Sequence, residues 1–376
     1  MAVLQIILGL FLLDIIVFFH ELGHFVAARI SGVKVEAFSL GMGPVLLHKK
    51  IRGTDWRLSL FPIGGYCSMK GEADADFAYE NPEAVIDKDS FYGIKPVLRA
   101  FIGAAGPFAN VVFAFIAFVL VSMVGYTYYS AGNTVRIATE VYPEMTSAAG
   151  NAGIKSGDKI IKINSTKITD FSDLYTEVAT HPDEDILVEV ERNGEILKFT
   201  VHTEMNKSTG EGKIGVMSDP SSVEKREAKT YGFFGAVVNG AKETGNMVYL
   251  TIKGIATLFK GVDITESVSG PARVTSMLGE AAQSGFSAGF RNGFSSVLQF
   301  MALISISLFI MNLLPIPVLD GFLVLTSLVE AVFRKRVSPR VRNIVQFVGI
   351  TLIALLFVIA AAGDFHYFSE LINGKK

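Results

Sequence analysis

Phe18-Phe19-His20-Glu21-Leu22-Gly23-His24 closes an apolar stretch that starts at the N-terminus, and its reading decides the fold. From Leu4 to Phe19 the only charged residue is Asp14. Such a run reads as a helix crossing a bilayer. Histidines at i and i+4 then share one face of that helix and can grip one metal ion. The glutamate between them can polarise a water held by the metal. Ionisable side chains inside a spanning helix are costly and mark function. Three of them within five positions need a compensating partner, and a metal is the obvious one. With six histidines in the chain, a chance His-Glu-x-x-His is rare, on the order of one in a hundred.

Composition sets the surroundings. Half of the 376 residues are hydrophobic, 29 of them Phe, and only 19% are charged, with a net charge of −2. This is the balance of a membrane protein carrying a soluble insert, and the absence of a basic domain argues against nucleic-acid binding. Cys67 is the only cysteine, which excludes a disulfide framework and any multi-cysteine metal site. A metal here must use histidine and carboxylate. The N-terminal run lacks a basic leader and passes directly into the histidine pair, so it reads as a retained helix rather than a cleaved signal.

Four segments are long and apolar enough to span: residues 2–28, 97–126, 297–328 (interrupted at Asn312, Pro315 and Pro317) and 344–362. Basic residues set the orientation. Arg29, Lys34, Lys49, Lys50, Arg52 and Arg57 follow the first span, and Arg334, Lys335, Arg336, Arg340 and Arg342 precede the fourth. Both loops are expected to be cytoplasmic, and the long insert and both termini extracytoplasmic. In the cytoplasmic loop, alternation over residues 56–60 followed by Phe61-Pro62-Ile63-Gly64-Gly65-Tyr66 reads as a β-hairpin. It is either an ordinary surface hairpin or a strand edge offered to an extended substrate. Gly41, Gly43 and Pro44 mark an earlier tight turn.

The insert contains Gly153-Ile154-Lys155-Ser156-Gly157-Asp158-Lys159-Ile160-Ile161-Lys162-Ile163-Asn164, with further strand-like runs at residues 186–191 and 196–201. Over residues 131–222 it resembles a PDZ domain, with Asn164-Ser165 where such domains usually have Asn-Gly. A β-rich spacer that binds nothing is the plainer alternative. Residues 231–260 place Phe234, Val237, Val238, Ala241, Val248, Ile252, Ile255 and Phe259 at helical spacing, which predicts an amphipathic helix packing on them.

Two histidines leave a zinc ion one protein ligand short of the usual catalytic set. The third apolar segment offers Asn312-Leu313-Leu314-Pro315-Ile316-Pro317-Val318-Leu319-Asp320-Gly321. Its prolines break the helix, and broken backbone at membrane depth is tolerated where it is buried or lines a cavity. Asp320 is the ligand candidate there, and beside Gly321 it also suits a helix cap. Asn312 can hold an unwound substrate backbone, because its amide both donates and accepts.

Taken together, His-Glu-x-x-His in the first span and Asn-x-x-Pro-x-Pro-x-Leu-Asp-Gly in the third resemble the site-2 protease family of intramembrane metalloproteases, closest to its regulator-of-sigma-E protease (RseP-like) branch. Phe38-Ser39-Leu40-Gly41-Met42-Gly43, Pro62-Ile63-Gly64-Gly65-Tyr66, Gly106-Pro107-Phe108-Ala109-Asn110 and Ser269-Gly270-Pro271-Ala272 extend the likeness along nearly the whole chain. Two departures stand out: room for one PDZ-like unit where the family often has two, and Phe322-Leu323 where it commonly has Gly-His. The resemblance implies a polytopic α-helical membrane protein of about four transmembrane helices, with one inserted extracytoplasmic PDZ-like domain and a membrane-associated cytoplasmic β-hairpin. It implies a Zn2+ site of His20, His24 and Asp320, and Glu21 as catalytic base. Asn312, Pro315, Pro317, Gly64 and Gly65 are the expected substrate contacts. It further implies residence in a bacterial cytoplasmic (inner) membrane. Substrates would be single-span proteins, such as anti-sigma factors after a first cut and remnant signal peptides, and peptide termini would meet the PDZ-like domain.

The chain thus divides into residues 1–130 (first two spans and hairpin), 131–222 (PDZ-like), 223–295 (interfacial helical linker) and 296–376 (last two spans). Asp14, two turns before Glu21 on nearly the same face, either lines a water path, bonds Asn110, or is solvated near the outer interface. His48, His181, His202 and His366 fall outside the spans and read as surface residues. Two other readings compete: a scaffold that keeps an inactive metal site, and a metal transporter. The intact ligand set argues against the first. The single compact cluster argues against the second.

Overall fold

The computed structural model describes residues 2–72, 87–207, 209–258, 270–334 and 339–372. Phe259, Ser269, Lys335, Arg336 and the side chain of His366 lie outside the described residues. The helices used below are α1 (Ala2–Ile30), α2 (Pro96–Val124), α3 (Phe171–Ala179), α4 (Phe233–Leu258), α5 (Pro271–Ser287), α6 (Phe290–Asn312), α7 (Asp320–Phe333) and α8 (Pro339–Ile372). Four helical stretches among the described residues are long and apolar enough to cross a membrane: Gln5–Ile30, Pro96–Val124, Phe290–Asn312 and Ile344–Phe365. The chain is a multi-pass membrane protein. Contacts divide it into two compact units, one of Met1–Val124, Tyr231–Val248 and Ser269–Lys376, the other of Gly125–Thr230 and Tyr249–Val268.

The third apolar segment differs from the sequence expectation. It is two helices rather than one interrupted span: α6 ends at Asn312 and α7 starts at Asp320. Pro315 and Pro317 cannot donate to a helical ladder, so residues 313–319 turn through local bonds, such as Ile316 N–H to Leu314 O (2.7 Å) and Leu319 N–H to Ile316 O (3.0 Å). Val318 adopts a φ of +82°, a strained value for a β-branched residue.

Helices in this unit approach closely where side chains are small. A Cβ on Gly23 of α1 would lie 2.3 Å from Ala105 O of α2, and one on Gly279 of α5 would lie 2.0 Å from Gln5 O of α1. The same rule corrects the expected face of α4. Ala236, Gly240 and Thr244 are its buried positions, with Gly240 seated on Val119, whereas Phe234 and Val238 are 84% and 71% exposed. Close helix contacts in membranes favour small residues, leaving the large apolar ones to face outward. Asp364 of α8 is buried and accepts N–H bonds from Gly270 (2.9 Å), Ala272 (3.0 Å) and Arg273 (3.3 Å), capping α5.

Between the first two spans lie β1 (Val35–Ile51) and β2 (Thr54–Met69), which meet at Arg52-Gly53. Both turn residues have positive φ (50° and 86°), as a two-residue hairpin requires. The turn expected at residues 61–65 is instead a continuation of β2. Each strand bends, and the sheet has four segments. Residues 37–40 pair antiparallel with 65–68 on one side. On the other they pair with 55–58 in a register whose numbers rise together, and residues 47–51 cover that outer edge. Phe38 docks the sheet on α1, with ring centroids 5.6 Å from Phe25, 5.7 Å from Phe18 and 4.8 Å from Trp56.

The second unit centres on the strands β5 (Lys159–Ile163), β6 (Thr166–Lys167), β7 (Asp185–Arg192) and β8 (Glu195–His202), in the order β6-β5-β7-β8 (β3 is Thr127–Ser130 and β4 is Val135–Ile137). Alternate residues of β7 (Ile186, Val188 and Val190) are fully buried and pack with Leu174 and Val178 of α3. The Asn164-Ser165 turn needs a left-handed residue only at Asn164 (φ 51°), which asparagine tolerates, so no glycine is required after it. The entering strands β3 and β4 pair with the leaving strands Glu224–Glu227 and Val216–Ser218.

Buried Asp158 anchors this unit. Arg192 donates to it twice, Nε to Oδ1 and Nη2 to Oδ2, each at 2.6 Å, and Lys155 N–H adds a third bond at 2.8 Å. Burial works against the Asp158 carboxylate, but Arg192 and the Lys155 N–H overcome it and hold its pKa below the ordinary carboxylate value. Its stabilisation is therefore complete above the ordinary carboxylate range and is lost as pH falls through the depressed pKa. Asp158→Asn should cost about 2–3 kcal/mol at neutral pH. It should also flatten the acid dependence, read as the rate of proteolytic cutting within residues 125–230 of the purified protein.

Candidate active site and metal centre

His20 and His24 lie one turn apart on α1, and Asp320 is the first residue of α7. His20 Nε2 lies 3.3 Å from His24 Nε2 and 3.1 Å from Asp320 Oδ2, and His24 Nε2 lies 3.4 Å from Asp320 Oδ1. These atoms can hold one metal ion. A tetrahedral zinc with bonds of about 2.0–2.1 Å needs ligand atoms about 3.3–3.4 Å apart. The separations fit that geometry, and the donor set of two imidazoles and one carboxylate fits zinc chemistry.

The imidazoles are oriented from behind. His24 Nδ1–H donates to Ile102 O (2.9 Å), which leaves the lone pair of Nε2 facing the cluster. His20 Nδ1 faces the side-chain amide of the fully buried Asn110 at 3.2 Å. For His20 to ligate through Nε2, its Nδ1 must carry the proton and Asn110 must accept it. With the amide turned over, Oδ1 of Asn110, which otherwise has no partner, takes that bond. The Asn110 backbone is fixed in turn by Ser305 Oγ–H of α6 (3.0 Å). Asn110 therefore meets His20, and the candidate bond from Asp14 is directed elsewhere.

Asp320 is held from below. Ten residues on, Glu330 of α7 accepts Arg99 Nη2–H of α2 at 2.6 Å, with both side chains almost fully buried. This pair ties the start of α2 to the helix that presents Asp320. Gly106 of α2 makes room for His24: a Cβ there would fall 2.1 Å from His24 Nε2.

The cluster opens into a cavity of about 450 Å³ lined by Glu21, Gly65, Tyr66, Asn312, Val318 and Asp320, among others. The structure thus brings His20, Glu21, His24, Asp320, Asn312 and Gly65 around one space. Gly64, Pro315 and Pro317 sit outside its lining. Leu323, which stands where the resembled family has histidine, both lines the cavity and packs on Gly103. Sequence reasoning missed Glu72 at this cavity, the Arg99–Glu330 pair and the strain at Val318. Arg99 and Glu330 were open to detection as charges within apolar segments. Nothing in the sequence marked Val318.

The chain matches the profile of Peptidase family M50 over residues 8–356. It is 33% identical to a protein of Treponema pallidum (strain Nichols), with 97% of this chain and 99% of that one covered. It is 32% identical to one of Campylobacter jejuni, covering 94% and 90%, and 32% identical to one of Clostridium acetobutylicum, covering 98% and 99%. All three carry the name "Putative zinc metalloprotease".

Gly106→Ala should displace the His24 ring and lower metal affinity by at least about tenfold, measured as zinc retained through graded chelator dialysis.

Proposed function

This chain belongs to Peptidase family M50, the site-2 protease family, and from that premise we propose that it is an intramembrane zinc endopeptidase cutting single-span membrane proteins. The observation that carries the reading is the meeting of His20, His24 and Asp320 from two separate helices, beside Glu21, in one cavity. His20, His24 and Asp320 hold the metal. When bound, zinc supplies Lewis acidity, polarising the scissile carbonyl and acidifying water.

Glu21 takes the proton of the attacking water on its carboxylate and delivers it to the leaving amine nitrogen, so the carboxylate ends as it began. His24 keeps its orientation through Ile102 O, and His20 through Asn110. A helical substrate hides its peptide bonds, so it must unwind to reach the cavity. Asn312, whose amide can both donate and accept, receives the freed backbone at the rim. Gly64 and Gly65 bring the hairpin strand close without side chains in the way, and Pro315 and Pro317 keep residues 313–319 out of the helix.

We assign the hairpin to the membrane surface, on the strength of its exposed Met42, Val45, Leu46, Leu47, Leu60 and Phe61. The basic loops place it and the active site on the cytoplasmic side of a bacterial inner membrane. Residues 131–222 are assigned to an extracytoplasmic PDZ-like domain, supported by the β6-β5-β7-β8 sheet with α3, and its expected ligand is a peptide terminus. That division suits substrates already trimmed outside, such as anti-sigma factors after a first cut or remnant signal peptides.

Cleavage of a short single-span substrate by the purified protein tests the reading. Glu21→Gln should keep zinc and lose cleavage by on the order of a thousandfold, whereas His20→Ala and Asp320→Ala should lose zinc itself. Full cleavage by Glu21→Gln, or zinc retained without His20 and Asp320, would refute it.

A further inference from the structure

Asp14 is a carboxylate in the first apolar helix, 7% exposed, and its Oδ1 has no hydrogen-bond partner among the described residues. The reaction just described gives it no role. Its carboxylate faces the backbone N–H of Gly64 in β2. Seven residues further along α1, the carboxylate of Glu21 faces the backbone N–H of Cys67 in the same strand. Seven residues of helix rise about 10.5 Å, and three residues of strand span about 10 Å. The two carboxylates are therefore spaced to meet two N–H groups of one strand, and the pairs run in the same direction, 14 to 21 and 64 to 67.

Between these anchors the strand lies directly on α1. A Cβ on Gly65 would sit 3.5 Å from Glu21 Cγ, 3.7 Å from Val17 Cγ1 and 2.7 Å from Ser39 O. Gly64 (φ 87°) and Gly65 have no side chains with which to lock the strand by packing, and glycine backbone is free to move. A polar anchor to their N–H groups does what packing cannot do there. The opposite edge of residues 65–68 is already paired with residues 37–40.

We propose that Asp14 is a positioning residue: it pins Gly64 to α1 so that residues 65–67 stand in register with Glu21 along the wall of the cavity. The proposal rests on Glu21 as the proton carrier and adds what sets its place against the strand. Asp14 acts as a hydrogen-bond acceptor and carries no proton, so an amide can replace it. Asparagine keeps an oxygen for the Gly64 N–H, whereas leucine or alanine does not.

Cys67 gives a direct reporter, because it is the only cysteine, is 8% exposed and follows Gly65 by two residues. The full-length protein and its Asp14→Asn, Asp14→Ala and Asp14→Leu variants are compared for zinc content, rate of Cys67 modification by N-ethylmaleimide, and kcat and KM on a single-span substrate. Asp14→Leu and Asp14→Ala should keep zinc, and Cys67 should react at least about tenfold faster as the strand lifts. Their kcat should fall about tenfold to a hundredfold, with KM little changed. Asp14→Asn should stay within about threefold of wild type in both readouts.

Unchanged Cys67 protection in the leucine and alanine variants would overturn the latch. So would loss of zinc in both, since the latch touches none of His20, His24 and Asp320. An Asp14→Asn enzyme as slow as Asp14→Leu, with Cys67 still protected, would show that Asp14 carries protons and would also overturn it. The alkylation result stands whether or not the wild type cleaves, so failure of the latch and failure of the protease reading remain distinct.

Discussion

Three polar groups buried in an apolar bundle, each needing a partner, set the terms for the rest of this structure. His20 and His24 come from α1 and Asp320 from the start of α7, and their ligating atoms stand 3.1–3.4 Å apart. Without a shared cation, that arrangement would leave lone pairs opposed in a low-dielectric setting. With one, the same spacing becomes a coordination shell. Much of the first unit serves to bring those two helices together and hold them. Glycine contacts let α1 approach α2 and α5. The Arg99–Glu330 pair ties α7 to α2, and Asn110 and Ile102 set the imidazole faces.

The broken third segment follows from the same need. An unbroken helix through residues 312–320 would continue on its own axis. The prolines end α6, and the turn with its strained Val318 restarts the chain as α7 with Asp320 at its first position. Strain of this kind costs about 1–3 kcal/mol, and it occurs on the cavity wall. The hairpin sheet closes the opposite side, docked through Phe38 and lying on α1 through two glycines.

The four apolar helices, the i, i+4 histidine pair and the proline break were legible in sequence, because each is a local pattern with a fixed spacing. The chemistry-bearing residues quoted from the motifs lie together for the same reason. What was not legible depends on partners distant in sequence. The packing face of α4 followed small residues rather than the apolar stripe, because lipid and protein interior are equally apolar and hydrophobicity no longer says which side is in. The hairpin turn sits at Arg52-Gly53, a pair less conspicuous than the glycines downstream, and β2 absorbs Gly64 and Gly65 as a bent strand. Arg99 and Glu330 are 231 residues apart, and nothing short of the fold announces that they meet.

X-ray absorption at the zinc edge of the purified, metal-loaded protein addresses the central claim most directly. The account predicts two imidazole nitrogens and only oxygen besides, at about 2.0–2.1 Å, and no sulfur at about 2.3 Å. A sulfur shell, which only Cys67 or a methionine can provide, or a shell holding fewer than two imidazoles, would contradict it.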